Sequence, residues 1–213
     1  MWFVPDAPVL LAYSLACLVL FITPGPDMSL FLAKTIAGGR GAGIACYTGA
    51  ALGSVVHSLL ATFGLSALIA ASPAAFLVLK IIGAVYLLWL AVDAVRNGSA
   101  LNVRPEQSQR ATFWPTLVVG LGVNLTNPKV VLFFVTFLPQ FVDAHDLHAP
   151  AKLLFLGLYF VVFAFPLGVL MILAADRIVS DLKRHPRVLR AIDWLFAGVF
   201  SAFAVKILAT QSK

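Results

Sequence analysis

Six long apolar segments dominate this 213-residue sequence and restrict what it can fold into. The hydrocarbon core of a bilayer is about 30 Å thick, so a helix needs roughly 20 consecutive apolar residues to cross it. Hydrophobic residues make up 61% of the chain and charged residues 11%, with a mean hydropathy of +0.98, which leaves too little charged surface for a soluble domain. We therefore predict an all-α membrane protein with six transmembrane helices. The predicted spans cover residues 8–36, 43–71, 74–95, 114–141, 151–175 and 189–210.

The first and fourth segments are too long for one straight helix, and prolines and polar residues interrupt both near the middle. The first contains TPGPD at residues 23–27, and the fourth contains NLTNPK at residues 124–129. A proline inside a helix removes a backbone donor and costs about 3 kcal/mol. Irregular backbone at membrane depth persists only where it is buried against protein or lines a wet cavity. We therefore predict two broken or re-entrant spans, interrupted at Pro24, Gly25, Pro26 and Pro128.

The two interruptions also indicate an internal repeat. Asp27 and Lys129 each follow a proline directly and lie 102 residues apart, nearly half the chain. With three spans in each half, the second copy enters the membrane from the opposite side, which is the inverted-topology architecture of many secondary transporters. Residues 1–213 then form a single transmembrane domain. We place the first repeat at about 8–95, a polar cytoplasmic linker at about 96–113 and the second repeat at about 114–210.

The basic residues predict how the chain is oriented in the membrane. The loops between spans one and two, three and four, and five and six, together with the span ends that adjoin them, hold ten of the fifteen Lys and Arg residues. Because such loops remain in the cytoplasm, both termini should face outward. The net charge of +6 does not indicate nucleic-acid binding, since no basic stripe is interleaved with aromatic residues. The ten residues are Lys34, Arg40, Arg96, Arg104, Arg110, Arg177, Lys183, Arg184, Arg187 and Arg190.

The charges beside the two interruptions predict a kind of substrate. The repeat places the acid Asp27 in correspondence with the base Lys129, and a buried pair would be fixed unless another molecule replaced one partner. A free α-amino acid carries both an ammonium and a carboxylate and could do so. A broken helix also exposes N–H groups that attract a carboxylate and carbonyls that attract an ammonium. We therefore place Asp27, Lys129, Thr23, Asn124 and Asn127 along a substrate and proton pathway near the membrane midplane.

His57 lies in the second predicted span, and we include it in this pathway because its imidazole could relay protons or contact the substrate. A hydrogen bond from the imidazole to a neighbouring helix is the simpler interpretation, and both stay open. Gly49 and Gly53 beside it indicate close helix packing. In a proton antiporter, either Asp27 or His57 would take up the proton.

Several short motifs, in a fixed order along the chain, resemble the LysE/RhtB family of amino-acid exporters. They are TPGPD at 23–27, GGRGAG at 38–43, LKIIGAVYL at 79–87, NPK at 127–129, FF at 133–134 and PQF at 139–141. The resemblance covers essentially the whole chain and implies a six-helix protein of the bacterial inner membrane. It also implies export of an amino acid, driven by the proton-motive force. The expected substrate is a neutral or basic amino acid or a derivative, and we expect no cofactor and no bound metal.

Two other functions stay open on the sequence. A metal-ion exporter of the same broad superfamily would need His, Cys or carboxylate ligands inside the spans, and only His57 and Asp27 qualify. An intramembrane enzyme would need a nucleophile close to a base, and His57 with Ser54 or Ser58 is the one candidate. The acids and histidines at 143–148 could hold a divalent ion, although loop charges are usually solvated. We expect a transporter rather than an enzyme, either a monomer or a homodimer.

Overall fold

The computed structural model describes residues 3–97, 112–143 and 145–210, and these residues form helices without any β-strand. The helices are α1 (Ala7–Ile22), α2 (Pro26–Ala71), α3 (Pro73–Asn97), α4 (Phe113–Thr126), α5 (Pro128–Leu132), α6 (Ala149–Leu173), α7 (Ala175–Arg184) and α8 (Pro186–Thr210). A π-helical turn at Phe133–Phe137 and a 3-10 turn at Leu138–Phe141 continue α5. The prediction of an all-α protein is confirmed. Most of the predicted linker, residues 98–111, lies outside the described residues.

The TPGPD motif separates α1 from α2, as predicted. Thr23 and Gly25 each precede a proline and adopt extended backbone, because the ring of a proline disfavours helical geometry in the residue before it. Pro26 begins α2, where the missing N–H has no consequence because the first N–H groups of a helix lack an intrahelical acceptor. Helix is therefore interrupted over residues 23–25 and resumes with Asp27 in the first turn of α2.

α2 is 46 residues long and contains one internal break, at Gly39. The backbone there has a φ of 80° and a ψ of 176°, a conformation essentially restricted to glycine. The glycine-rich sequence at 38–43 predicts a turn, and the structure confines that turn to this single residue. α2 thus contains the second half of the first predicted span and the whole of the second.

The second interruption has the same local cause as the first. Asn127 precedes Pro128 and adopts extended backbone, and its side-chain oxygen accepts a hydrogen bond from the Lys129 N–H at 3.1 Å. α4 and the helical segment 128–141 are bent by 53° at this point. The fourth predicted span is therefore broken, in agreement with the sequence.

Four of the described helices are long and apolar enough to cross a bilayer, and the bent pair at 113–141 makes a fifth span. The four are α2, α3, α6 and α8. α1 is apolar but has only 16 residues, fewer than the roughly 20 that a straight span needs. The chain is thus a helical membrane protein, and the arrangement of six spans in two inverted repeats stays a prediction.

The 102-residue offset relates the end of the second predicted span to that of the fifth, but it does not relate the third span to the sixth. α2 ends at Ala71 and α6 ends at Leu173, which are 102 residues apart. α3 and α8 begin 113 residues apart, because the short helix α7 lies between α6 and α8. The sequence predicts only a loop at this place. α7 instead has an apolar face, whose Ala175 and Val179 are buried against the beginning of α2.

α2 packs against both α4 and α6, and α3 packs against α8. Glycines let α2 and α4 approach closely, because a side chain at Gly49 would collide with the Leu117 backbone and one at Gly120 with the Cys46 backbone. A side chain at Gly53 would likewise collide with its neighbour on α4. The close packing predicted from Gly49 and Gly53 is confirmed.

The main core surrounds the segment 128–141, where α1, α3, α6 and α8 meet the buried rings of Phe133, Phe134 and Phe137. Large apolar side chains on the outer faces are exposed, among them Phe63 at 72% and Val162 at 73%. Apolar groups on both the inside and the outside of the bundle are expected where the solvent is lipid.

Candidate functional site

A cavity of about 630 Å³, counting the space at its mouth, lies between the two helix interruptions. Its wall consists of the end of α1, the beginning and middle of α2, the end of α4, the beginning of α5 and the middle of α6. The predicted pathway residues that line it are Thr23, Gly25, Asp27, Asn124, Asn127 and Lys129. The other predicted site residues, Pro24, Pro26, Pro128 and His57, are not part of the lining. The prolines shape the backbone around the cavity.

Lys129 reaches from α5 to the end of α1. Its Nζ donates to the carbonyl oxygen of Leu20 at 2.7 Å and to that of Thr23 at 2.5 Å. In an unbroken helix the Leu20 carbonyl would accept from the N–H of residue 24, but Pro24 has no N–H. The lysine therefore supplies the hydrogen bond that the proline removes, at the end of a helix whose dipole favours a positive charge.

Asp27 lies in the first turn of α2 and faces α4. Its Oδ2 accepts a hydrogen bond from the Asn124 side-chain amide at 2.7 Å, and the Asn127 side chain lies beside the same carboxylate. Asp27 Oδ1 and Asn124 Oδ1 are buried and accept no hydrogen bond from the part of the chain that the structure describes. Buried polar atoms rarely lack a partner, so both oxygens are available to a donor on a bound molecule.

Asp27 and Lys129 face the same cavity, and their charged atoms are near enough to interact electrostatically. No ion pair joins their side chains within the described ranges, because each is held by neutral groups of the other half of the chain. The direct pair that the sequence suggests is thus not formed. Two hydrogen-bonded links between the halves take its place, and both charges stay at the cavity wall.

His57 lies behind Asn124. Its Nε2 donates to the Asn124 carbonyl oxygen at 3.3 Å, and its ring stacks on Phe134 with the centroids 5.6 Å apart. This carbonyl is the one that Pro128, four residues further on, deprives of its usual helical donor. It also accepts from the Asn127 N–H at 3.1 Å. The imidazole therefore makes the hydrogen bond to a neighbouring helix that the simpler interpretation of His57 requires.

The rest of the cavity wall is apolar and aromatic. Tyr47 donates its hydroxyl to the Ala164 carbonyl at 2.7 Å, and its ring packs edge-on against Phe31 and stacks on Phe165. These contacts hold the Tyr47 ring in place beside the cavity. The apolar lining consists of Leu20, Phe21, Met28, Phe31, Ala50, Ala51, Val130, Phe160, Val161 and Ala164. Apolar walls with a few fixed polar groups suit a small molecule that has a polar end and an apolar body.

Leu20 was not predicted as a site residue, because the group that acts is its backbone carbonyl. The sequence nevertheless identifies this carbonyl. A proline leaves the carbonyl four residues before it without its helical donor, and for Pro24 that carbonyl belongs to Leu20. Thr23 also acts through its carbonyl. Its hydroxyl donates to Val19 of the same helix at 2.6 Å.

A metal site is one of the alternatives that the sequence leaves open. Within the described residues, no group of three or more His, Cys, Asp or Glu side chains is placed to hold an ion. In the loop after the 3-10 turn, the His145 N–H donates to Asp143 Oδ1 at 2.8 Å, and this hydrogen bond lowers the pKa of the Asp143 carboxyl. Asp146 pairs with Lys152. These loop charges are therefore engaged with one another.

The serines near His57 are not arranged as nucleophiles. Ser58 donates its hydroxyl to the Ser54 carbonyl at 2.8 Å, and the His57 Nε2 is engaged with α4. An activated nucleophile needs a hydrogen bond to its base. Within the residues that the structure describes, neither serine hydroxyl makes such a bond with the imidazole.

Fold and site together define the class of protein. Apolar helices long enough to cross a bilayer surround a cavity whose polar groups come from helix interruptions, as in membrane transporters built from discontinuous helices. The family model for the LysE type translocator matches residues 18–211. The chain belongs to this family and is a membrane translocator, so the resemblance stated from the motifs is confirmed.

Curated relatives match the chain over nearly their whole length. A leucine efflux protein from Klebsiella pneumoniae is 29% identical over 204 residues, which are 95% of this chain and 95% of the relative. An uncharacterized membrane protein from Vibrio cholerae is 29% identical over 211 residues, 96% of this chain and 98% of the relative. A leucine efflux protein from an Enterobacter species is 28% identical over 199 residues, 92% of each chain. No solved structure matches this chain.

Proposed function

We propose that this translocator exports an amino acid from the cytoplasm across the bacterial inner membrane in exchange for protons. The observation that carries the proposal is that Asp27 and Lys129 come from different helix interruptions and face one cavity. Charges inside a membrane are costly, and those that occur there usually mark a transport pathway. In this proposal the chain has six spans in two inverted repeats, with both termini outside.

The polar groups of the cavity correspond to the two ends of a free amino acid. Asp27 Oδ1 and Asn124 Oδ1 are buried acceptors, and they bind the ammonium of the substrate. The first N–H groups of α2 point into the interruption, where the positive end of the helix dipole attracts the carboxylate. Both ends of the substrate are thus held at the level of the interruptions.

The apolar wall favours a neutral substrate with a hydrophobic side chain. Phe21, Phe31, Tyr47 and Phe160 line the cavity together with the charged and amide groups. A basic side chain would place a second cation against these rings without a carboxylate to balance it, which is unfavourable. Two of the relatives carry the name leucine efflux protein, which supports the same substrate class. Leucine is therefore the first substrate to test.

Efflux from lipid vesicles that contain the purified protein tests the proposal. Vesicles loaded with a panel of labelled amino acids should release leucine, or another apolar amino acid, faster when the outside is made acidic. The acceleration is expected because protons that enter the vesicle drive the amino acid out. Release of none of the panel, or release that ignores the pH gradient, would count against proton antiport of an amino acid.

Asp27→Asn is the variant that tests the site. It should lower efflux to the background of empty vesicles, because an amide cannot neutralise the ammonium of the substrate. Asp143→Asn is the matched control, since it makes the same change on a carboxylate that is 74% exposed in a loop, and it should export like the wild type. Both variants should elute from gel filtration like the wild type. Undiminished efflux from Asp27→Asn would reject the assignment.

A further inference from the structure

The carbonyl groups at the end of α1 form a binding place for an ammonium, which Lys129 occupies in the structure. Resting on the proposed export of an amino acid, we infer that Lys129 carries the coupling proton, and that its ammonium and that of the substrate occupy this place in turn. The role differs from that of a fixed charge that only binds substrate. It also assigns the proton to a residue other than Asp27 or His57.

The acceptors explain why one ammonium would replace another at this place. The carbonyl of Leu20 cannot be satisfied within its own helix, because Pro24 has no N–H, so it needs a donor from outside in every state of the protein. The Lys129 side chain lies over Gly25, where a Cβ atom would come within 3.5 Å of the lysine Cδ. The lysine thus crosses the interruption itself, and a substrate entering there meets the same carbonyls.

The ionisable groups that face Lys129 are few. Asp27 and Tyr47 of α2 line the same cavity, and His57 lies behind Asn124. Among the described residues, α1, α4 and α6 contribute no ionisable side chain to the lining. Because no carboxylate of the described residues contacts the Nζ, release of a proton from Lys129 breaks no ion pair there. A lysine amine can exist without its proton, whereas an arginine guanidinium cannot.

The exchange that follows needs only water as a proton donor and acceptor. With the cavity open to the cytoplasm, one N–H bond of the Lys129 ammonium breaks, the proton passes to water, and the neutral amine withdraws. The ammonium of the substrate then donates to the Leu20 and Thr23 carbonyls, and Asp27 on the same cavity wall balances its charge. With the cavity open outward, the substrate leaves, the amine takes one proton from water, and its ammonium returns. One amino acid leaves and one proton enters in each turnover.

Two substitutions separate this role from a structural one. Lys129→Arg keeps a permanent cation on the carbonyls, so it should lose both efflux driven by a pH gradient and exchange of labelled for unlabelled leucine at equal pH. Lys129→Gln keeps an N–H donor without a charge that can change. It should lose the acceleration of efflux by a pH gradient, while exchange of labelled for unlabelled leucine at equal pH stays above that of empty vesicles. If Lys129 only stabilised the fold, each substitution would lower gradient-driven efflux and leucine exchange together.

Lys80→Gln is the matched control, because Lys80 is not part of the cavity lining and its Nζ donates to the Val142 carbonyl. Both activities should survive in this variant. Efflux driven by a pH gradient in Lys129→Arg overturns the inference even if Lys129→Gln does not fold, since arginine cannot release the proton. Gradient-driven efflux in folded Lys129→Gln, or its loss of exchange, overturns the inference as well. Wild-type protein that moves no amino acid overturns the proposed function first, before any substitution is made.

Discussion

A proline in a helix frees the carbonyl group four residues before it, and this protein uses two such carbonyls at its site. In the first interruption the carbonyl is that of Leu20, which accepts from Lys129. In the second it is that of Asn124, which accepts from His57. Each freed carbonyl therefore binds a side chain that is distant in sequence. The prolines connect separate parts of the bundle as well as bending the chain.

Substitution of His57 tests this role apart from any role in proton transfer. His57→Leu should lower the free energy of unfolding by about 0.5–1.5 kcal/mol, because it removes one of the two donors to the buried Asn124 carbonyl. His57→Gln keeps a donor and should retain most of the stability. Thermal unfolding in detergent measures the difference. If His57→Gln folds and exports but no longer responds to a pH gradient, His57 rather than Lys129 takes up the proton.

The charged residues of the site could be predicted because charges beside prolines are rare inside apolar segments. Asp27 and Lys129 stand out for this reason, and both line the cavity. Their partners could not be predicted. The Asp27 carboxylate binds Asn124 and not Lys129, which depends on how α2 and α4 cross, and Leu20 acts through a backbone atom that its side chain does not reveal.

At the scale of elements, the predicted spans agree closely with the helices because each is a long apolar segment bounded by polar or helix-breaking residues. The predicted turn at 38–43 is present as the kink at Gly39, whose non-helical backbone separates the helical segments on either side of it. The prediction fails between the last two spans. α7 was expected to be a loop, since its charged residues conceal an apolar face formed by Ala175 and Val179.

Two glycines of α4 test the close crossing of α2 and α4. A methyl group at Gly120 would collide with the Cys46 backbone, whereas nothing lies within 4 Å of one at Gly122. Gly120→Ala should therefore lower the free energy of unfolding by about 1–3 kcal/mol. Gly122→Ala should be neutral or stabilising by up to about 1 kcal/mol. Unfolding both variants in the same detergent compares them, and equal stabilities would contradict the crossing described for α2 and α4.

At the scale of the whole molecule, hydropathy alone predicts a helical membrane protein, and the structure confirms it. α1 has only 16 residues, so the first predicted span is long enough for a crossing only if the beginning of α2 continues it. The side chain of the proposed substrate could not be predicted from any local pattern, since the apolar wall combines residues of α1, α2 and α6 that meet only after folding.

Protection of the cavity by substrate tests most directly whether the two interruptions enclose the binding site. Ala51 lines the cavity and the natural cysteines Cys17 and Cys46 are buried, so Ala51→Cys adds a thiol to the cavity wall. Asp143→Cys places a control thiol in the exposed loop. The exported amino acid should slow maleimide labelling of the Ala51→Cys variant and leave that of Asp143→Cys unchanged. An exported amino acid that leaves labelling at position 51 unchanged would contradict a binding site between the interruptions.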